Sequence, residues 1–173
     1  MQVPEKKESI PERIQSLIGE YGPALKYSDA TVGKASEFAE REDLHLFRQG
    51  KKPQTVAISS LYISGLSNRE YRSRLNLANA SGLSKNTIAS SIKDLYEAKK
   101  DVIKKIPFAG KDAKIRKESK EERLRKVDEV SVFSYFMHTI IVSVENTRIK
   151  DKRYAERVGR VSEWINKLFF EKS

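Results

Sequence analysis

Residues 68–97, NREYRSRLNLANASGLSKNTIASSIKDLYE, constrain what this chain can fold into more than any other stretch. They predict helix, tight turn, helix. Leu75, Leu77, Ala78 and Ala80 supply the apolar side of a first helix. Gly82 falls where the backbone must turn sharply, and glycine takes a positive φ there without steric cost. Ser84 follows as an N-cap, its hydroxyl placed to accept from the free N–H groups of the next turn. Ile88, Ile92 and Leu95 recur at i, i+4, i+7, one buried face of a second helix. The outer face keeps Lys85, Asn86, Ala89, Ser90 and Lys93, small or polar side chains that suit a helix lying in a major groove.

Upstream, helical spacing continues. Pro11 suits the first turn of a helix running to about residue 20, with Ile10, Ile14, Leu17 and Ile18 inward. Gly22 and Pro23 break it. Asp29 is placed as the N-cap of a helix over about 30–46, with Val32, Ala35, Phe38, Ala39 and Leu46 facing in. Pro53 opens a third helix at an early position where its missing N–H does no harm. Val56, Ala57, Ser60, Leu61 and Ser64 give that helix a small inward side, with Ile58, Tyr62 and Ile63 flanking. Apolarity almost all round implies a central helix. Residues 1–98 thus form a five-helix domain containing the helix-turn-helix at 68–97.

Composition then shifts. Residues 99–126 hold twelve Lys+Arg and five Asp+Glu, so most of the chain's +10 net charge lies in this connector. It is either a solvated linker or a phosphate-contacting arm. Residues 127–173 hold two more apolar stretches. Val127, Val130, Met137, Ile141 and Val144 carry the first, with Phe133, Phe136 and Ile140 on a second face. Strand stays open there, because Ile140, Ile141, Val142 and Val144 are β-branched. Tyr154, Val158, Val161, Ile165 and Leu168 then mark a helix to the end, widened by Trp164, Phe169 and Phe170. The pair reads as a hairpin packed on the first five helices. Its alternative is a surface for homodimerisation or partner docking. The fold class is all-α.

A chain of 173 residues with 34% charged and 38% hydrophobic side chains belongs with soluble globular proteins. The excess of 34 Lys+Arg over 24 Asp+Glu favours an anionic partner. There is no cysteine, which removes thiol catalysis, disulfides and thiolate metal sites. The two histidines, His45 and His138, lie far apart in no metal-binding spacing. No glycine-rich phosphate loop or nucleophile elbow is present, so no catalytic, cofactor or metal residue is assigned and an enzyme is not expected. The N-terminal residues lack an apolar signal core, and the apolar run at 132–144 is too short to span a bilayer. A cytoplasmic protein without membrane contact is expected.

Residues 50–95 resemble the latter part of a cyclin-like repeat of transcription factor IIB and its archaeal counterpart. The opener Gly50-Lys51-Lys52-Pro53, the small-residue helix ending in Leu61-Tyr62-Ile63, the turn over 77–84 and the pair Thr87-Ile88 carry the likeness. Residues 10–47 are compatible with the repeat's first two helices. The resemblance implies a DNA-binding transcription regulator or accessory initiation factor, with proteins of the transcription machinery as further partners. Two base-reading positions of the family's second repeat would fall on Asn86 and Ala89. The family's full-length members add a cysteine zinc ribbon and a second repeat. Neither is found here, so recruitment of polymerase through a ribbon is not implied.

Double-stranded DNA is therefore the expected partner. Ser84, Lys85, Asn86, Ala89, Ser90 and Lys93 would form the recognition face. Arg69, Arg72 and Arg74 on the preceding helix, with Lys99, Lys100, Lys104 and Lys105, would hold phosphates. Two alternatives stay open. One is a protein-interaction module on a cyclin-like scaffold. The other is a winged-helix regulator whose wing lies in 101–115.

Overall fold

A computed structural model describes residues 7–106, 128–146 and 152–171. Its elements are all helical, so the protein is all-α, with no strand among the described residues. The chain divides into two compact units, Met1–Ser91 and Ile92–Ser173.

In the first unit, α1 (Ile10–Ala24) starts at a capping box. Ser9 N–H donates to Glu12 Oε2 at 2.8 Å, and Glu12 N–H donates to Ser9 Oγ at 3.3 Å. Ile14, Leu17, Ile18 and Tyr21 are buried along it. Against expectation, α1 runs through Gly22 and Pro23. Gly22 is needed for space rather than for a break: a Cβ there would sit 2.5 Å from a Val32 methyl. Pro23 lies in the last turn and withholds one N–H from Gly19, which is exposed and open to water.

The N-cap of α2 (Asp29–Glu40) is Ser28 rather than Asp29. Ser28 is extended and its hydroxyl accepts from Thr31 N–H at 3.3 Å. Asp29 instead occupies the first turn, where negative charge suits the helix dipole. The helix also ends earlier than the sequence suggests. Arg41 turns extended, and Arg48 Nη1 donates to the carbonyls of Ala39 and Arg41, at 3.0 and 2.6 Å. A 3-10 turn (Glu42–Leu44) and the one-turn α3 (His45–Arg48) follow. They bury Leu44 and Phe47, and leave Leu46 81% exposed instead of inward.

Helix α4 (Pro53–Ser67) is buried at every residue from Thr55 to Ser67 and packs against α1, α2 and α5 (Arg74–Ser81). Several of its hydroxyls find internal partners, while Ser64 Oγ is buried without one among the described residues. Ser60 donates back to the Val56 carbonyl at 2.8 Å, and Ser67 accepts from Lys34 Nζ. Gly65 is a second space-making glycine, since a Cβ would lie 2.6 Å from the Tyr27 ring and 2.8 Å from the Glu70 carbonyl.

The α1–α2 connection and the segment between α4 and α5 are joined side by side. Arg72 Nε donates to the Leu25 carbonyl at 2.7 Å and Nη2 to the Lys26 carbonyl at 2.9 Å. Its guanidinium lies over the Tyr27 ring, 5.1 Å from the centroid. Glu70 accepts from Ser28 N–H (2.9 Å), Ser28 Oγ (2.5 Å) and Thr31 Oγ1 (2.6 Å).

The second unit holds the last turns of α6 (Lys85–Glu97), the short α7 (Lys100–Ile103), α8 (Glu129–Asn146) and α9 (Lys152–Ile165). The strand alternative at 140–144 gives way to helix α8, which buries Val130, Phe133, Met137, Ile140 and Ile141. Helix α9 does not stay α-helical to the end. It passes into a π turn (Asn166–Phe170) closed by Glu171 N–H on the Asn166 carbonyl at 2.7 Å. Val161, Ile165, Leu168 and Phe169 are buried along α9 and that turn. Tyr96 stands edge-on to Phe133 at 5.1 Å and tilted to Phe169 at 6.4 Å. Trp164 meets Phe133 and Phe136 at 6.1 and 5.7 Å. Helices α8 and α9 pack together, and α7 packs on α8 and the π turn. Most of the basic connector, the 107–115 part of the suggested wing, and Val127 lie outside the described residues. Among the described residues, no helix is long and apolar enough to cross a membrane.

Glu70 makes the α2 junction acid-sensitive. Burial pushes its carboxyl up, but the hydroxyls of Ser28 and Thr31, the Ser28 N–H and nearby Arg72 outweigh burial and hold it below its ordinary 4.5. A carboxylate lowered on folding stabilises above its unfolded value and loses that contribution as pH falls through the folded one. Glu70→Ala is expected to cost about 1–3 kcal/mol in urea unfolding at neutral pH. For Glu70→Gln, the gap to the parent should close on acidification below about pH 4. An equal gap at pH 3 and pH 7 would show that the charge contributes nothing.

Candidate nucleic-acid interface

Helix α5 begins later than the sequence suggests. Ser73 is its N-cap, extended, and accepts from Asn76 N–H at 3.2 Å. Arg69 and Arg72 therefore precede α5, and only Arg74 lies on it. Of the four apolar residues assigned inward, Leu77 alone is fully buried. Ala78 and Ala80 are half-buried, and Leu75 is 53% exposed. At about 100° per residue, Leu75 lies some 200° round the helix from Leu77, so the two cannot share a face.

The turn after α5 rests on Gly82, at φ 72° and ψ 4°. Its N–H donates to the Ala78 carbonyl at 2.9 Å. Nothing lies within 4 Å of where a Cβ would stand, so backbone conformation alone requires glycine. Ser81, to which the sequence assigned no role, ties the turn: Oγ donates to the Leu77 carbonyl at 2.7 Å and accepts from Leu83 N–H at 3.3 Å. Ser84 then caps α6, accepting from Thr87 N–H at 3.0 Å and sharing a hydrogen bond with Thr87 Oγ1 at 2.8 Å.

Helix α6 buries Ile88, Ser91, Ile92, Leu95 and Tyr96. Ser91, to which the sequence assigned no role, interrupts that apolar stripe. Its hydroxyl shares a buried hydrogen bond with Ser59 of α4, 2.8 Å long. That bond fixes the rotation of α6, because no other angle pairs both hydroxyls.

Lys85, Asn86, Ser90 and Lys93 are exposed, and Ala89 is half-buried. None of the four exposed side chains makes a hydrogen bond or ion pair among the described residues. Ser84 is exposed too, but its hydroxyl is committed to the cap. Asp128 is held below the ordinary carboxylate range, chiefly by the Ser131 N–H at 2.7 Å and in smaller part by the charge of Lys93.

The expected phosphate contacts divide. Arg69, Lys100, Lys104 and Lys105 are exposed, while Arg74 and Lys99 are half-buried. Arg72 is half-buried with its guanidinium held by the carbonyls of Leu25, Lys26 and Tyr71, which makes it a strut between two connections. Charge is unevenly spread along the chain. Residues 48–106 carry twelve Lys+Arg and four Asp+Glu, whereas residues 7–47 carry five and eight.

No protein-family model matches the chain, and neither a curated protein nor a solved structure does.

Gly82→Ala is expected to destabilise the first unit by about 1 kcal/mol through φ alone, since no side chain blocks the methyl. Gly82→Asn should lose less, because asparagine tolerates the left-handed region. Urea unfolding of the two variants checks this. Equal losses would mean that something other than backbone conformation selects glycine.

Proposed function

We propose that the protein binds duplex DNA through the outer face of α6, as a transcription regulator or accessory initiation factor related to the cyclin-like repeats of transcription factor IIB. The observation that carries this is the state of that face. Lys85, Asn86, Ser90 and Lys93 are exposed and make no hydrogen bond or ion pair among the described residues, while Ile88, Ile92, Leu95 and Tyr96 on the opposite side are buried. A capped, rotationally fixed helix with cationic and amide side chains outward is what a major groove accepts. The net charge of the 48–106 region supplies the attraction to phosphate. On this reading Arg69, Arg74, Lys99, Lys100, Lys104 and Lys105 hold the backbone, while Arg72 holds the protein itself.

A protein-docking role draws on Val132 and Tyr135, exposed and three residues apart on α8. Singly exposed apolar side chains are ordinary on soluble proteins, so this observation carries less.

Binding to a random duplex, followed by fluorescence anisotropy at increasing salt, is expected to show a steep log–log decline. Lys93→Ala should flatten the slope by about one unit and weaken binding to all sequences alike. Asn86→Ala should leave the slope and remove about 1–3 kcal/mol of preference at one base pair in a sequence selected from a random pool. Flat or absent binding by the parent would reject the DNA role.

A further inference from the structure

We propose that the α1–α2 and α4–α5 connections form one phosphate-gripping corner, with Lys26 joining Arg69 as its cations and the backbone of duplex DNA as its ligand. It rests on the duplex-binding role proposed above, in which Arg69 already holds phosphate, and extends that role to Lys26 and the α1–α2 connection, outside the 68–97 segment.

Backbone conformation is the starting point. Among the described residues, Lys26 (φ 57°) and Arg69 (φ 62°) are the only non-glycine residues with positive φ. Each follows the C-cap residue of a helix, Leu25 or Asn68: Lys26 N–H donates to the Pro23 carbonyl at 2.9 Å, and Arg69 N–H to the Leu66 carbonyl at 3.2 Å. Glycine or asparagine is the usual occupant of such positions, because a Cβ is penalised in the left-handed region. A long cation stands at both instead. Non-glycine residues held in that region cluster at functional sites, where the surroundings enforce the strain.

The surroundings do enforce it. Arg72 binds the carbonyls of Leu25 and Lys26 and lies over the Tyr27 ring. Glu70 grips Ser28 through both its N–H and its hydroxyl. The Tyr27 ring in turn fills the space that Gly65 leaves empty. The two connections are thus one joined corner, with Lys26 on one side of the joint and Arg69 on the other. Both are exposed, and neither makes an ion pair among the described residues. The corner's acids are Asp29, in the first turn of α2, and Glu70, whose oxygens are occupied by Ser28 and Thr31. Two uncommitted ammonium or guanidinium groups on a fixed backbone suit successive phosphates, which need charge and reach rather than a shaped pocket.

The strain gives the test its discrimination. Lys26→Gly/Arg69→Gly removes the charges and relieves both conformations, so the full-length variant should melt within a few degrees of the parent or above it. Its log–log salt slope for a random duplex should fall by about two units, at about 0.9 for each phosphate no longer neutralised. Lys26→Asn/Arg69→Asn should match it, since asparagine also tolerates the conformation. Lys7→Asn/Arg13→Asn, which removes the same charge elsewhere, should change the slope by less than half as much. If the parent binds and both corner variants keep its slope, or the control falls equally, this surface is overturned while the α6 role stands. If the parent shows no salt-dependent binding, the α6 role falls and this surface with it.

Discussion

The first unit depends on the complete burial of α4. A helix enclosed from Thr55 to Ser67 must let three neighbours approach, and large side chains all round would hold them apart. The chain meets this with hydroxyls and glycine: Thr55, Ser59, Ser60, Ser64, Gly65 and Ser67 interrupt the aliphatic residues. Buried hydroxyls carry a desolvation cost unless paired. Ser60 is paired within the helix, Ser67 with Lys34 of α2 and Ser59 with Ser91 of α6. Two of these bonds therefore do more than satisfy a donor. They set where α2 and α6 sit against the central helix, and an all-aliphatic α4 would hold them less specifically.

The same logic explains why Arg72 departs from its expected role. An arginine beside a helix-turn-helix invites assignment to phosphate, yet its planar fork matches backbone carbonyls equally well. The α1–α2 connection ends a helix and leaves the Leu25 and Lys26 carbonyls without helical donors. Arg72 supplies both. Arg48 does the same for the end of α2, at Ala39 and Arg41. Two helix C-termini in this unit are thus closed by an arginine further along the chain, while four N-termini are capped by a local serine.

How much of this was legible varies with the physical origin of each feature. The apolar stripe of α6, the left-handed turn at Gly82 and the cap at Ser84 are local, set by spacing and by one residue's conformational freedom, and the structure has them where the sequence places them. Leu75 was misplaced because it lies about 200° round the helix from buried Leu77, so the two cannot both face inward. The end of α2 and the continuation of α1 through Pro23 were misplaced for other reasons. The end of α2 goes with Arg48, which binds the Ala39 and Arg41 carbonyls, and α1 continues because Pro23 falls in its last turn, where the Gly19 carbonyl is open to water. Ser59 and Ser91 each stand out as a hydroxyl in an apolar setting, but their pairing across 32 residues appears only in three dimensions. The π turn after Ile165 has no sequence mark at all.

What remains after these commitments is informative. Ser9, Ser28, Ser73 and Ser84 cap helices, Arg48 and Arg72 close carbonyls, Glu70 binds hydroxyls, and Arg41 pairs with Asp43 at 2.7 Å. Many polar side chains here are engaged internally. Lys85, Asn86, Ser90 and Lys93 on the outer face of α6, and Lys26 and Arg69 at the corner, are exposed and make no ion pair among the described residues. The α6 cations and Arg69 lie in residues 48–106, where Lys+Arg outnumber Asp+Glu twelve to four, apart in sequence from residues 7–47, where acids outnumber bases eight to five. Separating charge in this way leaves self-attraction unexploited, which adds nothing to folding. An external polyanion is the simplest ligand that would turn the separation into binding energy and orient the approach to α6.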